Sequence, residues 1–466
     1  MGTLNKKIAV IGLGYVGLPL ASLCATKGYE VIGFEANPKV VDLLRSGKSH
    51  IVDDKVETLL AKAIKTGNLE PTSNADALTA CDIFLICVPT PVNSNNDPDI
   101  APLIGALDTI AMHIKQGDLV VVESTVFPGT CEDIVLPYLE EKTNKKVGID
   151  FQLAHCPERV SPGDHFWTTE NIPRVVGATT EQGVKAAADF YISILGGQLF
   201  DVRDIRSSMR PKVSASDSEG GYSIPKTPLG SVTMMRSIRD AEAVKAMENT
   251  VRDVNIAFVN ELAKISDVLN LDVVDVIDGM STKPFGKGPF YPGTGVGGHC
   301  IAVDPEWLKD ASMKAGYMPE IIQLARTTNN NMPAYAVSLL QDALNDCSHA
   351  IKGTQICVLG VAYKKNVDDL RESPFFDIRT LLEDKGAVLK IFDSWISEHN
   401  TEDSLEKVLK GCKAIFIVTD HDDYINQLKS MDLAEFDIEV IVDGRNCLDS
   451  KLITSQGILY RGIGRR

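Results

Sequence analysis

The chain has 466 residues, 44% hydrophobic and 24% charged, which is typical of a globular protein with two or three domains. Its net charge of −16 argues against nucleic acid or an anionic membrane as a partner. No apolar run approaches the ~20 residues that span a bilayer, and a glycine-rich loop interrupts the N-terminal apolar stretch where a secretory signal would continue. We therefore expect a cytoplasmic protein. None of its ten cysteines forms a CxxC pair, so most are expected to be buried, reduced thiols.

The first part of the chain alternates apolar, β-rich runs with helix-like segments, which is the pattern of a parallel α/β sheet. The predicted strands of this part are residues 7–12, 30–34, 82–88, 119–125 and 150–155. The alternation predicts a doubly wound domain.

A glycine motif follows the first of these strands and opens a helix. Gly12, Gly14 and Gly17 form G-x-G-x-x-G, in which the first glycine allows a tight turn and the second admits a pyrophosphate. The third lets helix and strand pack closely. The next strand ends in Glu35, which is placed to accept a hydrogen bond from a ribose 2′-hydroxyl and to repel a 2′-phosphate. The carboxylate therefore favours NAD over NADP. The alternative to a dinucleotide site is a glycine-rich turn that binds no ligand.

A long helix is predicted further along the chain. Residues 209–232 are rich in Ser, Gly and Pro and indicate a long loop or insertion, whereas residues 240–270 show apolar side chains every three or four positions. This apolar stripe consists of Val244, Met247, Val251, Val254, Phe258, Leu262 and Ile265. The length of the helix suggests a central link between two lobes and a candidate dimer contact.

The same helix carries three polar residues on one face. Lys245, Asn249 and Arg252 are spaced i, i+4 and i+7, so they project in one direction. On the helix alone, a solvated polar face is the more common arrangement.

A second α/β pattern occupies the C-terminal part, with predicted strands at 354–363, 387–393, 414–420 and 439–444. The segment that follows the first of these strands lacks G-x-G-x-x-G but carries Lys364, Lys365 and Arg371. These cations, joined by Arg445 after the last strand, could neutralise a diphosphate, although ordinary surface charge is the simpler alternative. Two such domains suggest two nucleotides facing each other across a cleft.

The loop "YPGTGVGGHCIAVDP", residues 291–305, combines glycines with a thiol. It lacks the GK[ST] ending of a nucleotide-hydrolysing P-loop. His299 and Cys300 could be metal ligands, but no further ligand lies at metal-site spacing, so no metal is expected. A structural cysteine is a further alternative. A nucleophile needs a stabilised thiolate and close approach of a substrate carbon, which the glycines and Lys245 could provide.

Together these residues resemble the UDP-glucose/GDP-mannose dehydrogenase family over nearly the whole chain. The matching motifs are "GLGYVGLPLA", "CVPTP", "ESTVFPGT", "CPERVSPG", "EAVKAMENTVRDVNIAFVNE", "GVGGHCIAVDP" and "GVAYKKNVDDLRESP". The versions around "CPER" and "GVGGHC" are similar to the branch that acts on UDP-N-acetylhexosamines (mannosamine, glucosamine and galactosamine).

The resemblance implies an α/β fold with two Rossmann-like doubly wound domains joined by a long central helix or helical domain. The expected domains are an NAD-binding domain at 1–205, an insertion loop at 206–237, a central helical domain at 238–335 and a UDP-sugar-binding domain at 336–466. It also implies a homodimer and the production of uronic acid precursors of polysaccharides.

By the same resemblance, the reaction is a four-electron oxidation of the sugar C6 alcohol to a carboxylate with two NAD⁺. Cys300 attacks the intermediate aldehyde, and the resulting thiohemiacetal is oxidised to a thioester that water hydrolyses. Glu158 assists hydrolysis and Lys245 stabilises oxyanion charge. Asp304, with Thr125, positions or deprotonates groups through water, and Asn249 orients the substrate.

The resemblance also carries binding roles to individual positions. The implied cofactor-binding residues are Gly12, Gly14, Tyr15, Val16, Gly17, Glu35, Pro89, Thr90, Ser124, Thr125 and Arg371. The implied substrate-binding residues are Glu158, Arg159, Val160, Lys245, Asn249, Arg252, Tyr291, Gly293, Gly297, His299, Tyr363, Lys364 and Arg445.

Some features depart from the family pattern. The stretch 207–236 is longer than the expected connection, and Pro162 stands where some glucose-specific members carry a second acidic residue. Two other functions stay open: a two-electron hydroxyacid-type dehydrogenase that uses only the Lys245/Asn249 pair, and a non-catalytic sensor of NAD or a nucleotide. UDP-glucose is the alternative substrate.

Overall fold

The computed structural model describes residues 6–51, 53–91, 99–160, 166–204, 228–282 and 289–465. The chain forms two compact units, Met1–Glu248 (unit 1) and Asn249–Arg466 (unit 2), and the division falls inside one long helix.

Unit 1 is built on a sheet that has nine strands within the described residues. Its strands are β1 (Ile8–Ile11), β2 (Val31–Phe34), β3 (Leu69–Thr72), β4 (Ile83–Ile86), β5 (Leu119–Val122), β6 (Gln152–His155), β7 (Arg174–Ala178), β8 (Leu199–Asp201) and β9 (Val232–Met234). Their order is β3-β2-β1-β4-β5-β6-β7-β9-β8, and all neighbours are parallel except the antiparallel pair β6 and β7. The order reverses between β1 and β4, which is where an open α/β sheet binds ligands.

Helices cover both faces of this sheet. They are α1 (Gly17–Thr26), α2 (Pro38–Arg45), α3 (Asp54–Thr66), α4 (Ala101–Ala111), α5 (Leu136–Thr143) and α6 (Glu181–Leu195), with short helical turns at Ala75–Ala80 and Cys131–Val135. Strands β1, β4 and β5 are buried along their whole length. Such burial on both faces explains why they are continuous apolar runs instead of alternating ones.

Unit 2 contains a second, all-parallel sheet in the order β11-β10-β12-β13-β14. Its strands are β10 (Gln355–Leu359), β11 (Val388–Phe392), β12 (Ala414–Ile417), β13 (Val440–Asp443) and β14 (Leu459–Gly462). The order reverses between β10 and β12, so this unit has its own crevice at the carboxyl ends of those strands.

The helices of unit 2 follow the long helix α7 (Ile238–Leu269), which starts in unit 1 and contains neither Gly nor Pro over its 32 residues. They are α8 (Val273–Ser281), α9 (His299–Lys314), α10 (Glu320–Asn330), α11 (Met332–Asp346), α12 (Pro374–Asp384), α13 (Leu405–Leu409), α14 (Asp422–Ser430) and α15 (Ser450–Ser455), with turns at Ser397–His399 and Leu433–Phe436.

The predicted α/β architecture is confirmed: β1, β2, β4, β5 and β6 lie inside the predicted strands of the first half, and β10 to β13 inside those of the second. The sequence analysis missed β3, β7, β8, β9 and β14. It was wrong at the end of the predicted loop 209–232, because residues 232–234 form β9, which pairs with β7 and β8 within the sheet. Residues 205–227 of that insertion, and Pro162, lie outside the described residues.

The apolar stripe of α7 is not a core face. Met247, Val251, Phe258 and Ile265 are exposed, whereas the buried side chains of the helix include Glu242, Lys245, Asn249, Asp253 and Asn260. The buried side of the helix therefore combines charged and amide side chains with small apolar ones such as Ala246 and Ala257, whereas several of the larger apolar side chains are exposed. Buried polar side chains are costly unless they are paired, so this side of α7 is a candidate part of the functional site.

Candidate active site

The glycine loop of unit 1 has the geometry of a dinucleotide cradle. Gly12 has φ +90°, and a Cβ there would lie 2.8 Å from the Cys87 carbonyl oxygen. A Cβ on Gly17 would lie 1.9 Å from the Gly12 carbonyl oxygen, which explains the close approach of α1 to β1. A Cβ on Gly14, in contrast, would have none of the atoms that Gly12 and Gly17 meet, since no neighbouring atom lies within 4 Å of its position. The free amides at the start of α1 can therefore meet a pyrophosphate.

The Glu35 carboxylate lies beside this loop, just after β2. Its Oε2 accepts a hydrogen bond of 3.1 Å from the Leu13 amide, and Oε1 accepts one of 3.0 Å from the Asn37 amide. Tyr15 on the loop is exposed and Val16 is half-buried. An open glycine cradle with a fixed carboxylate at the next strand fits the pyrophosphate and ribose of NAD.

Four further residues predicted to bind the cofactor gather at the carboxyl ends of β4 and β5. The Ser124 hydroxyl donates to the Val88 carbonyl at 2.7 Å, and the Thr90 hydroxyl donates to the Thr125 carbonyl at 2.8 Å. Pro89, which lies between Val88 and Thr90 in the chain, is exposed. The structure thus brings the "CVPTP" and "ESTVFPGT" segments together.

Glu158 is a buried carboxylate that accepts three hydrogen bonds, three residues after β6. Its Oε1 accepts from the amides of Arg159 and Val160 at 2.7 and 2.8 Å, and its Oε2 accepts from Arg174 at 2.8 Å. Burial opposes ionisation, but the Arg174 charge, the two amides and the Lys245 ammonium outweigh it and hold the pKa of Glu158 below its usual value. Glu158 is therefore a carboxylate at neutral pH.

Arg159, which follows Glu158, is directed toward the start of α7. Its guanidinium pairs with Glu248, and its Nη1 donates to the Pro173 carbonyl at 3.1 Å. Lys245 is buried on the same helix.

In unit 2, Cys300 lies in the first turn of α9 and is exposed, unlike most of the other cysteines. A thiolate at a helix N-terminus is stabilised by the free amide dipoles. Asp304, one turn further along, is buried, and its Oδ2 accepts a hydrogen bond of 2.6 Å from the Asn249 side-chain amide. The backbone of His299 begins α9; the structure does not describe its side chain.

Arg252 does not join Asn249. It is exposed, whereas Asn249 is buried. The expectation that Lys245, Asn249 and Arg252 project together is not matched by their burial: a spacing of seven residues keeps Arg252 on the same side as Lys245, but Arg252 lies at the exposed edge of the buried strip of α7. A solvated polar face, the common alternative, was wrong for Lys245 and Asn249.

The glycines before Cys300 allow the backbone to pack tightly against another loop. Gly298 has φ +85°, and a Cβ there would lie 2.7 Å from the Tyr363 ring. A Cβ on Gly297 would lie 2.6 Å from the Glu372 carbonyl oxygen, and the Gly298 amide donates to the Arg371 carbonyl at 2.9 Å. The sequence analysis attributed the glycines to approach of the substrate alone, but the structure shows that they fix the start of α9 against residues 363–374.

Arg371 lies near Cys300, although the sequence analysis grouped it with the cofactor. Its Nη2 and Nε donate to the Asp369 carboxylate at 2.6 and 3.0 Å. These hydrogen bonds, and then the negative charges of Asp369 and the Cys300 thiolate, raise the pKa of the Arg371 guanidinium. The Arg371 cation therefore lies in the electrostatic environment of the Cys300 thiol.

A cavity of about 530 Å³ opens at the point in unit 2 where the strand order reverses. Five predicted substrate-binding residues meet there or at its rim: Tyr291, Tyr363, Lys364 and Arg445 line it, and Gly293 lies against Arg445. Arg445 is held by donating to the carbonyls of Val418 and Tyr363 at 2.9 and 3.1 Å. The arrangement suits an anionic ligand such as a diphosphate.

The cavity is also lined by Lys365, one of the cations predicted to neutralise a diphosphate, and by two residues that were not predicted, Asn446 and Asp420. Burial raises the pKa of Asp420 against the opposing effects of Arg445 and Lys365. Asp420 ends the predicted strand 414–420. Its position at the carboxyl end of a parallel strand was the signal that could have identified it.

Comparison with known proteins assigns the three parts of the chain. Residues 6–195 match the NAD binding domain of the UDP-glucose/GDP-mannose dehydrogenase family, residues 239–331 match its central domain, and residues 357–450 match its UDP binding domain. The chain belongs to the UDP-glucose/GDP-mannose dehydrogenase family. It is an NAD-dependent oxidoreductase of the UDP-sugar dehydrogenase type, as the sequence analysis expected.

Relatives in this family align over most of their length. The chain is 34% identical to the UDP-N-acetyl-D-mannosamine dehydrogenase of Pyrococcus horikoshii, with 98% of this chain and 99% of the relative covered. It is 35% identical to the UDP-N-acetyl-D-glucosamine 6-dehydrogenase of Pseudomonas aeruginosa, with 84% of each covered. The solved structure of the P. horikoshii enzyme superposes with a TM-score of 0.85 at 34% identity over 98% of this chain and 99% of that one.

The described residues contain no group of three or more His, Cys, Asp or Glu side chains arranged to hold a metal ion. Among the helices that the structure describes, none is long and apolar enough to cross a membrane.

Proposed function

We propose that this protein oxidises the C6 hydroxyl of a UDP-N-acetylhexosamine to a carboxylate, in four electrons and through a covalent intermediate on Cys300. The observation that carries the proposal is the placement of Cys300 at the start of α9, exposed, near the Arg371 cation and one turn before the buried Asn249–Asp304 pair. A two-electron alcohol dehydrogenase needs no such thiol.

The reaction proceeds in three stages. C6 first loses a hydride and its hydroxyl a proton, which gives an aldehyde. The Cys300 thiolate then adds to the aldehyde carbon, and loss of a second hydride from this thiohemiacetal gives a thioester. NAD supplies the two-electron acceptor in each oxidation, so two molecules of NAD⁺ are consumed per sugar. Water finally attacks the thioester carbonyl, the C–S bond breaks, and the carboxylate and the Cys300 thiolate are released.

Each protein group has a defined task in this scheme, which rests on the family resemblance. Lys245 stabilises oxyanion charge at C6, and the Glu158 carboxylate takes the proton of the hydrolytic water. Asn249 holds Asp304, and both orient the reacting groups, assisted by Thr125. The UDP moiety is held by Lys364 and Arg445.

The substrate class is supported by the relatives, which are named for UDP-N-acetyl-D-mannosamine and UDP-N-acetyl-D-glucosamine. We infer that the product supplies uronic acid units for polysaccharide synthesis in the cytoplasm.

The stoichiometry of NADH tests the mechanism. Wild-type enzyme should form two NADH per sugar consumed, with the fastest turnover on a UDP-N-acetylhexosamine in a panel that includes UDP-glucose. Cys300→Ser should lose acid production, whereas Cys347→Ser, at a half-buried cysteine of α11's C-terminus, should behave as wild type. One NADH per sugar in the wild type, or full four-electron turnover by Cys300→Ser, would rule out the thioester route.

We also propose that the enzyme is a homodimer that pairs through α7. Exposed apolar side chains follow one face of the helix in unit 2, at Val251, Phe258 and Ile265, and continue at Val276 and Met280 of α8. An exposed apolar area of this kind marks an interface. Phe258→Glu should shift the sedimentation coefficient to that of a monomer. Leu452→Glu, at an exposed leucine of α15, is the control and should leave it unchanged. If the Phe258→Glu variant still sediments as a dimer, the interface does not include this face of α7.

A further inference from the structure

A fully buried arginine lies between two carboxylates in unit 1. Arg174, the first residue of β7, donates from Nη1 to Glu123 Oε2 at 2.9 Å and from Nη2 to Glu158 Oε2 at 2.8 Å. All three side chains are less than a tenth exposed. Removal of one partner from such a buried charge cluster is strongly destabilising, because the remaining charge is left unpaired.

The hydrogen bonds of Glu158 determine which of its atoms can react. A carboxylate has about four acceptor positions, two on each oxygen. Two backbone amides occupy Oε1, and Arg174 occupies one position of Oε2. Within the described residues, the remaining lone pair of Oε2 is therefore the one position of Glu158 that can take a proton from water without breaking an existing hydrogen bond.

Glu123 and Tyr191 hold the Arg174 guanidinium on the side opposite Glu158. Glu123 follows β5 directly and accepts at Oε1 from the Tyr191 hydroxyl. The Arg174 guanidinium lies 5.3 Å from the centre of the Tyr191 ring, within the range of a cation–π contact. Arg174 is thus held by a carboxylate and an aromatic ring on one side, which leaves its Nη2 aimed at Glu158.

We propose that Arg174 is a positioning residue for hydrolysis: anchored by Glu123 and Tyr191, its guanidinium orients Glu158 so that Oε2 accepts the proton of the attacking water. The inference rests on the role of Glu158 in the proposed function. Arg174 contacts neither water nor substrate in this step. Oε2 takes one proton as the water oxygen bonds to the thioester carbon, and the C–S bond then breaks to release the Cys300 thiolate.

Arg174→Lys tests the geometry, because lysine keeps the positive charge but lacks the planar fork that binds two carboxylates. We expect kcat to fall roughly 10- to 100-fold, the scale of a misplaced catalytic group, with KM for the UDP-sugar and for NAD⁺ within about twofold of wild type. Mass spectrometry during turnover should show the acylated enzyme accumulating, since hydrolysis is the step that is slowed.

Arg239→Lys is the matched control. Arg239 also bridges two carboxylates, Glu132 and Asp133, but it is half-exposed. Its variant should keep wild-type kcat and should not accumulate the adduct.

Arg174→Gln separates charge from geometry. The titratable and charged groups near Glu158 are Arg174, Lys245, Glu123 and Cys87. Loss of the Arg174 charge should raise the pKa of Glu158, so the acidic limb of the kcat–pH profile should move to higher pH. A merely structural arginine would lower the melting temperature and leave the profile of the folded enzyme unchanged.

Two further variants keep the inference testable if the Arg174 variants do not fold. Glu123→Gln retains Arg174 but weakens its anchor, and it should lower kcat by roughly 3- to 10-fold at unchanged KM. Glu158→Gln tests the proposed function itself and should trap the acyl-enzyme. An active Glu158→Gln enzyme would overturn the role of Glu158; an inactive one, together with wild-type kcat and pH profile in a folded Arg174→Lys or Glu123→Gln enzyme, would overturn the inference alone.

Discussion

The side-chain amide of Asn249 donates a 2.6 Å hydrogen bond to Oδ2 of Asp304, and both side chains are buried. Asn249 lies on α7 and Asp304 on α9, one turn after Cys300. The pair connects the polar side of the long helix to the helix that presents the thiol.

Asn249→Ala should leave the Asp304 carboxylate without this donor. Loss of a buried partner of a charged group costs roughly 1 to 3 kcal/mol, so we expect a lower melting temperature and a kcat reduced by about 100-fold. Asn255→Ala is the control, since Asn255 is on the same helix but is only half-buried and donates to the backbone carbonyl of Val251. Steady-state NADH production and thermal melts give both values, and an Asn249→Ala enzyme with wild-type kcat would remove the pair from the active site.

Glu35→Ala should weaken the preference for NAD. The carboxylate beside the glycine loop can bind a ribose 2′-hydroxyl and repels a 2′-phosphate. We expect the KM for NAD⁺ to rise about tenfold, and the ratio of kcat/KM for NAD⁺ over NADP⁺ to fall further. Glu30→Ala changes an exposed glutamate before β2 and should leave the ratio unchanged. An unaltered ratio in Glu35→Ala would show that other residues select the cofactor.

Lys364→Ala should raise the KM for the UDP-sugar at nearly constant kcat. The side chain lines the cavity of unit 2, where it can neutralise a diphosphate. An increase of about tenfold corresponds to roughly 1.4 kcal/mol of uniform binding. Lys451→Ala, at an exposed lysine of α15, is the control. A fall in kcat at unchanged KM would contradict a role confined to binding.

The pH dependence of stability should report Glu123. Burial raises its pKa to about 7, a shift that the nearby Glu158 increases and that Arg174 and the Tyr191 hydrogen bond oppose. The folded protein therefore binds this proton more tightly than the unfolded chain. The contribution of Glu123 to the free energy of unfolding is therefore fully present below the ordinary pKa of glutamate. It is lost as the pH rises to about 7, and it does not change further at higher pH.

Glu123→Gln does not titrate, so it isolates this contribution. The melting temperature of wild type minus that of Glu123→Gln should decrease from about pH 4.5 to about pH 7 and then stay level. The other titratable groups near Glu123, which are Cys24, Cys87, Cys156, Glu158, Arg174 and Tyr191, are present in both proteins. Parallel melting curves across this range would show that Glu123 is ionised throughout.

Local sequence was a good guide to the elements and to the two ligand-binding edges. The apolar runs gave the central strands of both sheets, and the glycine motif located the cradle at β1 because its chemistry lies within about 25 residues. Some of the missed strands carry weak signals, as in β3, which includes Pro71, and β8, which has three residues and is partly exposed. Such strands carry little periodicity. The missed strand β7 is buried over its five residues, but it begins with the charged Arg174.

The burial of α7 shows where the same reasoning failed. Periodicity identified the helix and its apolar stripe, but it cannot say whether that stripe faces a core or solvent. The structure places the polar side inward, where Asp253 pairs with Arg326 and Asn260 with Asn329. These partners are 73 and 69 residues away in the chain.

The sequence by itself determined the two α/β domains, the long helix, the glycine loop of the NAD-binding domain and the position of the proposed nucleophile Cys300, because each is encoded by neighbouring residues. Only the tertiary structure decided that Arg174 joins Glu123 and Glu158, that Asp420 enters the cavity of Arg445, and that the glycines before Cys300 pack on Tyr363. A buried charge is stable only beside its partners, and the partners of Arg174 are 51 and 16 residues away. A pattern of neighbouring residues cannot predict a contact between residues that are so far apart in the chain.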